Sequence, residues 1–186
     1  LGYVSRSWLG WQIPIFTSGN YSNSRIDSIN TKKILQFLKQ GGVPIITGFQ
    51  GINSQNRITT IGRGGSDASA IMIAKFFSAK RCVIYTDVNG VYTTDPKVVP
   101  NAKKIKKISY EEMLEMASLG AKVMQPKSIQ DARLNRIDIE VRNSFKNISG
   151  SLITKRKNVS KKNIIRGVSF TKNDAKVTLI GEKDSP

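Results

Sequence analysis

Two apolar runs, each rich in β-branched residues, flank a stretch with a helical pattern, and this alternation limits the folds open to the chain. The runs are Val43–Phe49 and Arg81–Thr86, and both are typical of strands covered on both faces in a parallel sheet. Ala68–Ala79, between them, has the composition of an apolar helix. A further strand is predicted at Ile137–Val141. The sequence therefore predicts an α/β fold with a largely parallel sheet and helices on both faces.

Shorter signals place other elements around these. Helical spacing predicts a helix that begins near Thr31 and ends at Gly41, and another helix begins near Pro126. Ser109–Glu112 has the form of a capping box, with serine at the N-cap and glutamate at N3. The polar stretches Thr17–Ser24 and Gln50–Arg57 are predicted to be loops.

The connection that leads into the central helix contains three glycines and an arginine. Gly62, Gly64 and Gly65 allow positive φ and a close approach of the backbone to a ligand. Arg63 has the planar fork that suits a carboxylate or a phosphate. Either of the next two residues, a serine and an aspartate, would serve as an N-cap. Two interpretations stay open: a tight capped connector, or an anion site at a helix N-terminus.

The chain is strongly basic, with 30 Lys and Arg against 13 Asp and Glu and a net charge of +17. Such a balance suits nucleic acid or an anionic surface. However, the basic clusters are spread out, and aromatic residues do not alternate with them as a base-stacking surface requires. Nucleic acid is therefore not the expected partner.

Two compositional features narrow the chemistry and the compartment. Histidine is absent, which removes imidazole acid–base chemistry and His metal ligands from these residues. The single cysteine, Cys82, lies in an apolar run, where a buried reduced thiol is expected, and this fits a cytoplasmic protein. No apolar run approaches the roughly 18 residues of a membrane span, so no membrane association is expected.

The character of the chain changes after residue 145. Residues 146–163 are rich in Ser, Asn, Gly and Lys and are predicted to be a linker. Two alternating segments within residues 164–186 are predicted to be strands that begin a second domain. The chain begins at Leu1, directly in a patterned segment, so we expect a piece of a longer protein.

Over residues 1–145 the chain resembles the aspartate kinases of the amino-acid kinase superfamily. The motifs that carry this resemblance are Gly42–Gly51, Thr59–Asp67, Tyr85–Pro96, Ile108–Met113, Gly120–Val123 and Val141–Phe145. The resemblance implies that residues 1–145 are the C-terminal part of the catalytic domain. It also implies transfer of the γ-phosphoryl group of ATP, with Mg²⁺, to the side-chain carboxylate of L-aspartate. The product, 4-phospho-L-aspartate, is the first intermediate of lysine, threonine and methionine biosynthesis.

The resemblance also implies roles for individual residues. Arg63 would clamp a carboxylate of the substrate and Asp67 would orient active-site groups, with a helix N-cap as the alternative for Asp67. The implied substrate-binding residues are Phe49, Arg63, Gly64, Gly65 and Ser66. The implied ATP-binding residues are Thr86, Asp87, Tyr92, Lys97, Lys122 and Val123. No residue of the chain is assigned as a metal ligand.

Three positions depart from the pattern of the aspartate kinases. Lys97 stands where that family usually has arginine, which keeps the charge but loses the bidentate grip. Gln125 replaces a usual histidine, and Asn56 takes a place often held by glycine, which is tolerable if its backbone is left-handed.

The C-terminal tail of the chain also resembles part of this family. Residues 164–186 resemble the beginning of an ACT regulatory domain, which implies feedback by lysine or threonine and a homo-oligomer. The resemblance also implies a glycine motif with a phosphate-contacting lysine and a substrate-binding glutamate, which would lie before Leu1, so the chain alone is expected to be inactive. The alternatives are another enzyme of the superfamily, such as glutamate 5-kinase or uridylate kinase, and a basic nucleic-acid-binding module.

Overall fold

The computed structural model describes residues 2–121, 123–155 and 167–169. Over these residues the chain forms ten strands and four helices. In chain order they are β1 (Ser5–Trp8), β2 (Ile15–Asn20), β3 (Asn23–Ile29), α1 (Lys32–Lys39), β4 (Val43–Ile46), β5 (Gln50–Ile52), β6 (Ile58–Thr60), α2 (Gly65–Phe76), β7 (Arg81–Thr86), β8 (Lys107–Ser109), α3 (Tyr110–Ser118), α4 (Pro126–Asn135), β9 (Asp138–Asn143) and β10 (Ser151–Thr154). None of the described helices is both long and apolar enough to cross a membrane.

The described strands form three sheets. One has two strands, β1 and β4, and the others have four strands each, in the orders β3-β2-β5-β6 and β7-β9-β10-β8. The pairs β1–β4, β2–β5, β7–β9 and β8–β10 are parallel, whereas β2–β3, β5–β6 and β9–β10 are antiparallel. The predicted α/β class with mostly parallel pairing is confirmed.

Helix α2 contributes to two hydrophobic cores. Ala68 packs with Trp8, Ile34 and other residues of the N-terminal half, whereas Ile71 and Ala74 pack with the residues around β7, β9 and α4. A helix that is apolar on several faces is expected to be buried between layers. The beginning of α2 is therefore held in place by packing from both halves.

Several local predictions are confirmed. The side chain of Ser109 accepts a hydrogen bond from the Glu112 N–H, and the carboxylate of Glu112 accepts one from the Ser109 N–H, so α3 begins with a full capping box. Proline occupies the first turn of α4. Asn56 has a φ of 56°, the left-handed backbone that its position requires.

The loop predictions for the two polar stretches are wrong, because both stretches contribute strands to the same sheet. Thr17–Ser24 spans the turn of the β2–β3 hairpin, and Gln50–Arg57 contains β5 and the turn before β6. Thr17 is buried, and its hydroxyl donates to the Ile52 carbonyl over 3.0 Å. The polar composition suggests loops. However, burial of a hydroxyl group costs little free energy when the group forms a hydrogen bond inside the sheet.

One strand prediction and the linker prediction also need correction. The run predicted over Val43–Phe49 is a strand only over Val43–Ile46, and Val43 and Ile45 expose 45% and 54% of their surface, so this strand is not covered on both faces by the described residues. The prediction of a linker is wrong over Ser151–Thr154, which form β10 inside a four-stranded sheet.

The predicted strands of the second domain lie mostly outside the described residues. Of residues 164–186 only 167–169 are described, and there the N–H of Val168 donates to the Thr93 carbonyl over 2.7 Å. The division into domains stays a prediction.

Candidate active site

The glycine turn before α2, residues 62–65, is built from two left-handed residues on either side of an arginine. Gly62 and Gly64 have φ values of 84° and 73°, a region that favours glycine. Gly65 was predicted to share this conformation but is instead the first residue of α2. Arg63 is exposed, and no other described residue forms a hydrogen bond or an ion pair with its side chain. The guanidinium group is therefore free to receive an anion.

The N-cap of α2 differs from the prediction. Gly64, in the left-handed conformation, is the N-cap, with no side-chain capping bond, so neither Ser66 nor Asp67 holds that position. The helix begins earlier than predicted because the glycine can turn the chain directly into it. Asp67 is thus the acidic residue of the first turn, where a negative charge is favourable.

Phe49 is brought against this glycine turn. A Cβ added at Gly65 would lie 2.6 Å from Cδ2 of the Phe49 ring, so the ring packs directly over the glycine. Phe49 has a φ of 70°, and its N–H donates to the Ser69 hydroxyl over 2.9 Å. A Cβ added at Gly48 would lie 3.5 Å from Cα of Ser66. The five residues predicted to bind the acceptor therefore lie together.

The side chain of Asp67 is half-buried. Burial raises the pKa of its carboxyl group above the usual range. Burial also raises the pKa of the Cys82 thiol, on β7, to about 11, and the charge of Asp67 contributes to this rise. Asp67 thus lies close enough to β7 for the two groups to interact electrostatically.

The loop after β7 is fixed by a residue that the sequence reasoning did not single out. The Asn143 side-chain N–H groups donate to the Asp87 carbonyl over 3.1 Å and to Oδ1 of Asn89 over 3.0 Å. The Thr86 hydroxyl donates to Oδ1 of Asp87 over 3.1 Å, and the Ser144 N–H donates to the Thr86 carbonyl over 2.8 Å. Thr86 is the last residue of β7 and Asp87 follows it, in agreement with the strand predicted over Arg81–Thr86. The sequence signal for Asn143 is its place in the Val141–Phe145 motif, which carries the family resemblance but assigns no role to this residue.

The remaining residues predicted to bind ATP are less closely connected. Tyr92 forms an isolated bridge with Lys104, and the N–H of Lys97 donates to Oδ1 of Asp95 over 2.9 Å. Among the described residues no hydrogen bond joins Tyr92 or Lys97 to the loop after β7. Lys122 lies outside the described residues, and Val123 is half-buried against the C-terminal core.

The beginning of α4 touches the glycine turn, which the sequence reasoning did not foresee. The Ser128 hydroxyl lies 3.4 Å from the Gly64 carbonyl and donates to it. A Cβ added at Gly64 would lie 2.5 Å from Cγ of Gln125. The segment that carries Val123 is thereby held close to the residues predicted to bind the acceptor. The position usually held by histidine, here Gln125, is thus a packing contact of the turn.

Two open pockets lie on the surface of the described residues. One, of about 310 Å³, is lined by Tyr85 and residues 142–148 at the carboxyl ends of β7 and β9. The other, of about 550 Å³, lies between the β2–β3 hairpin and residues 53–55. Neither of the two is lined both by the glycine turn and by the loop after β7.

Comparison with known proteins gives the family. The model described as the amino acid kinase family matches residues 7–143, which is most of the chain. The chain belongs to the amino acid kinase family. This amino acid kinase chain is 46% identical to the aspartokinase of Rickettsia felis over 176 residues, which are 94% of the chain and 44% of that protein. It therefore spans less than half the length of that curated relative.

Solved structures of aspartokinases share the fold of this amino acid kinase chain. The Escherichia coli aspartokinase III complex with aspartate and ADP, in the R-state, matches with a TM-score of 0.73 at 33% identity, over 83% of this chain and 35% of that chain. The complex of the E. coli enzyme with lysine and aspartate, in the T-state, matches with a TM-score of 0.71 at 34% identity, over 82% and 35%.

Metal-binding side chains are sparse in the described part of this amino acid kinase chain. Among residues 2–121, 123–155 and 167–169 there is no group of three or more His, Cys, Asp or Glu side chains that could hold an ion. Asp67 and Asp87, the acidic residues of the predicted site, are not part of such a group.

Proposed function

We propose that this chain is part of an aspartate kinase, which transfers the γ-phosphoryl group of ATP to the side-chain carboxylate of L-aspartate. The observation that carries the proposal is Arg63, exposed and unpaired among the described residues, between two left-handed glycines at the beginning of α2. The 46% identity to an aspartokinase supports aspartate as the acceptor. The E. coli neighbour contains aspartate and ADP, which is the expected pair of ligands.

On the acceptor side, Arg63 would bind one carboxylate of aspartate through two parallel hydrogen bonds. The backbone N–H groups at the beginning of α2, with the Ser66 hydroxyl, would complete the site at the positive end of the helix dipole. Phe49 would cover the carbon chain of the substrate. The reacting carboxylate of free aspartate is already ionised at neutral pH, so the transfer needs no general base and Asp67 is proposed to orient the site.

On the donor side, Thr86, Asp87 and Val123 would contact the nucleotide, with Tyr92 against the base. Lys97 and Lys122 would bring positive charge to the phosphates. A carboxylate oxygen of aspartate forms a bond to the γ-phosphorus while the bond from that phosphorus to the ADP oxygen breaks. Because this chemistry depends on positioning and charge neutralisation, cations that converge on the phosphates are its main requirement.

ATP and Mg²⁺ are proposed to enter together. Mg²⁺ is commonly held by substrate phosphates, one or two carboxylates and water, which agrees with the small number of acidic side chains in the described site. The ion neutralises phosphate charge when it is bound.

The regulatory features of the proposal concern the whole protein. The T-state neighbour contains lysine, and residues 164–186 are proposed to begin an ACT-like domain that binds lysine or threonine in a homo-oligomer. The buried thiol of Cys82 agrees with a reducing compartment, and the cytoplasm is the proposed location.

The deciding experiment is an acceptor screen on the full-length protein. ATP consumption is measured with aspartate, glutamate or UMP as the acceptor, and we expect turnover with aspartate. Arg63→Lys keeps the charge and loses the fork, so it should lower kcat/KM for aspartate by tenfold or more, and Arg63→Ala by more still. Turnover with glutamate or UMP in place of aspartate would refute the proposed acceptor.

Two alternatives receive less support. Glutamate 5-kinase and uridylate kinase are not favoured, because the identity to an aspartokinase extends over 94% of the chain. Nucleic-acid binding would follow from the net charge alone. Salt-dependent binding of DNA or RNA that Arg63→Ala leaves intact would favour it.

A further inference from the structure

Ser69, on the second turn of α2, connects two parts of the proposed acceptor site: the segment of Phe49 and the first residue of the helix. Its side chain is fully buried. The hydroxyl oxygen accepts the Phe49 N–H over 2.9 Å, and the hydroxyl proton is donated to the Gly65 carbonyl over 2.6 Å. One hydroxyl group therefore uses its single donor and one acceptor position to join the segment of Phe49 to the first residue of the helix.

The segment that Ser69 holds has an unusual backbone. Phe49 has a φ of 70°, which is uncommon for a residue with a bulky side chain. Its carbonyl accepts the Ile61 N–H over 3.0 Å, and its ring packs over Gly65. Such conformations persist where neighbouring groups determine them, and they occur often at ligand sites. The Ser69 hydroxyl oxygen, as acceptor, fixes the Phe49 N–H, and the Ile61 N–H, as donor, fixes the Phe49 carbonyl.

Ser69 is too deeply buried to touch a ligand bound at the glycine turn. Gly48, the neighbour of Phe49, lies directly above it, because a Cβ added at Gly48 would be 3.6 Å from Cβ of Ser69. Any effect of Ser69 on a ligand must therefore pass through Phe49 or through the glycine turn.

We propose that Ser69 is a positioning residue for the acceptor, which holds Phe49 in its left-handed conformation over the glycine turn. This inference rests on the proposed function, because it assigns Phe49 and the glycine turn to the acceptor site. Loss of the hydroxyl leaves the Phe49 N–H without its partner, so the segment can relax towards an ordinary backbone and carry the ring away from the turn. The donor side, held by Asn143, shares none of these bonds.

Helical serines often hydrogen-bond to the carbonyl four residues earlier, with no functional consequence. The bond from Ser69 to Gly65 alone would fit that pattern. Ser69 also accepts a hydrogen bond from the N–H of Phe49, a residue outside the helix with a left-handed backbone, and the simple pattern contains no such bond.

The test compares Ser69→Ala, Ser69→Thr and the wild type in the full-length protein. Ser69→Ala should raise KM for aspartate about tenfold, while KM for ATP stays within about twofold, since one buried hydrogen bond corresponds to a change of this order. Hydrogen exchange at the Phe49 amide, followed without substrate, should accelerate at least tenfold. Ser69→Thr keeps the hydroxyl and should restore both values.

Thr154→Val is the matched control. It also removes a buried hydroxyl group that donates a hydrogen bond, here to Asp138 in the sheet of β9 and β10. It should lower the midpoint of thermal unfolding and leave KM for both substrates unchanged. This separates a general loss of stability from a loss of positioning.

Two results would overturn the inference. One is unchanged exchange at the Phe49 amide in Ser69→Ala. The other is faster exchange together with an unchanged KM for aspartate, or with an equal rise of KM for ATP, which would make Ser69 only structural. A wild type that does not use aspartate would refute the proposed function instead; the exchange measurement and the KM of the acceptor found would then still test Ser69.

Discussion

Asn143 occupies the last position of β9, and its side-chain amide makes hydrogen bonds in three directions. Besides its two donor bonds to the loop after β7, its Oδ1 accepts the Phe145 N–H over 2.7 Å. The residue is buried, with 6% of its surface exposed. A buried amide with all these partners fixes the geometry around it, because any rotation would leave polar groups unpaired.

We therefore expect Asn143 variants to affect the donor side selectively. Asn143→Asp keeps the acceptor for Phe145 and loses both donor bonds, so KM for ATP should rise about tenfold, the effect of roughly one to two lost hydrogen bonds. KM for aspartate should change little. Steady-state kinetics on the full-length protein give both values.

Asn135→Ala is the control, since Asn135 makes its hydrogen bonds within α4 and to Met72, away from the loop. Equal effects of Asn143→Asp on the two KM values would contradict the assignment of this loop to the nucleotide.

Single residues show where sequence reasoning was sufficient at the site and where it was not. The roles proposed for Arg63 and Phe49 came from motifs, and the structure brings Phe49 against the glycine turn. The sequence predicts no role for Ser69, nor for Asn143 within its motif, because their importance depends on partners 20 and 54 positions away along the chain. A polar residue inside a strand or helix pattern carries no local sign of such a partner.

Helix N-termini offer a comparison between two elements of the same protein. Ser109 caps α3 with a full capping box, whereas Thr31, at the N-cap of α1, makes no side-chain capping bond. The two positions have similar residue types and different hydrogen bonding.

Ser109→Ala should lower the free energy of unfolding by about 1 kcal/mol, whereas Thr31→Ala should change it by only a few tenths. Urea denaturation of the two variants under the same conditions measures both. An equal loss in the two variants would show that the capping bond of Ser109 does not stabilise the helix.

The contact between α2 and β7 makes a second prediction for an element pair. Because the pKa of the Cys82 thiol is about 11 in the folded protein, against 9.0 ordinarily, the unfolded chain loses this proton first as the pH rises. The contribution of the neutral thiol to stability is complete below pH 9 and is lost progressively up to pH 11.

Urea denaturation at pH 8, 9 and 10 should show a steeper fall in stability for the wild type than for Cys82→Ala. The Cys82→Ala variant is the control, because it keeps all the other groups that titrate in this pH range. Parallel pH profiles would contradict the burial of the thiol as the cause.

Elements were predicted well where hydrophobic patterning is strong and poorly where pairing depends on distant strands. The boundaries of β7 and the beginning of α4 agree with the sequence prediction. The hairpins that contain β2 and β5 have the sequence pattern of loops, because their polar side chains give little alternation. Their partners become evident only when the sheet is assembled, so no local window contains the signal.

At the scale of the whole molecule, the net charge of +17 opposes the compact state. The four ion pairs among the described residues are partly exposed, and such pairs contribute little. Added salt screens the repulsion between like charges and also weakens these ion pairs. Because the repulsion is the larger of the two effects, salt should stabilise the folded chain.

We expect the midpoint of thermal unfolding to rise by about 2–4 °C, equivalent to about 1 kcal/mol, between 20 and 300 mM salt at pH 7. Sodium chloride and choline chloride should act alike, because screening depends on ionic strength and not on a specific cation. An unchanged or lower midpoint would show that repulsion is not a significant term.

The contact of α4 with the glycine turn has a consequence for how two ligands affect one another. The beginning of α4 cannot shift without displacing Gly64, since Gln125 and Ser128 both lie against that residue. If the segment before α4 contacts the nucleotide as proposed, then occupation of one half-site alters the free energy of filling the other. Thermodynamic reciprocity requires that the acceptor and the donor change each other's affinity by the same factor.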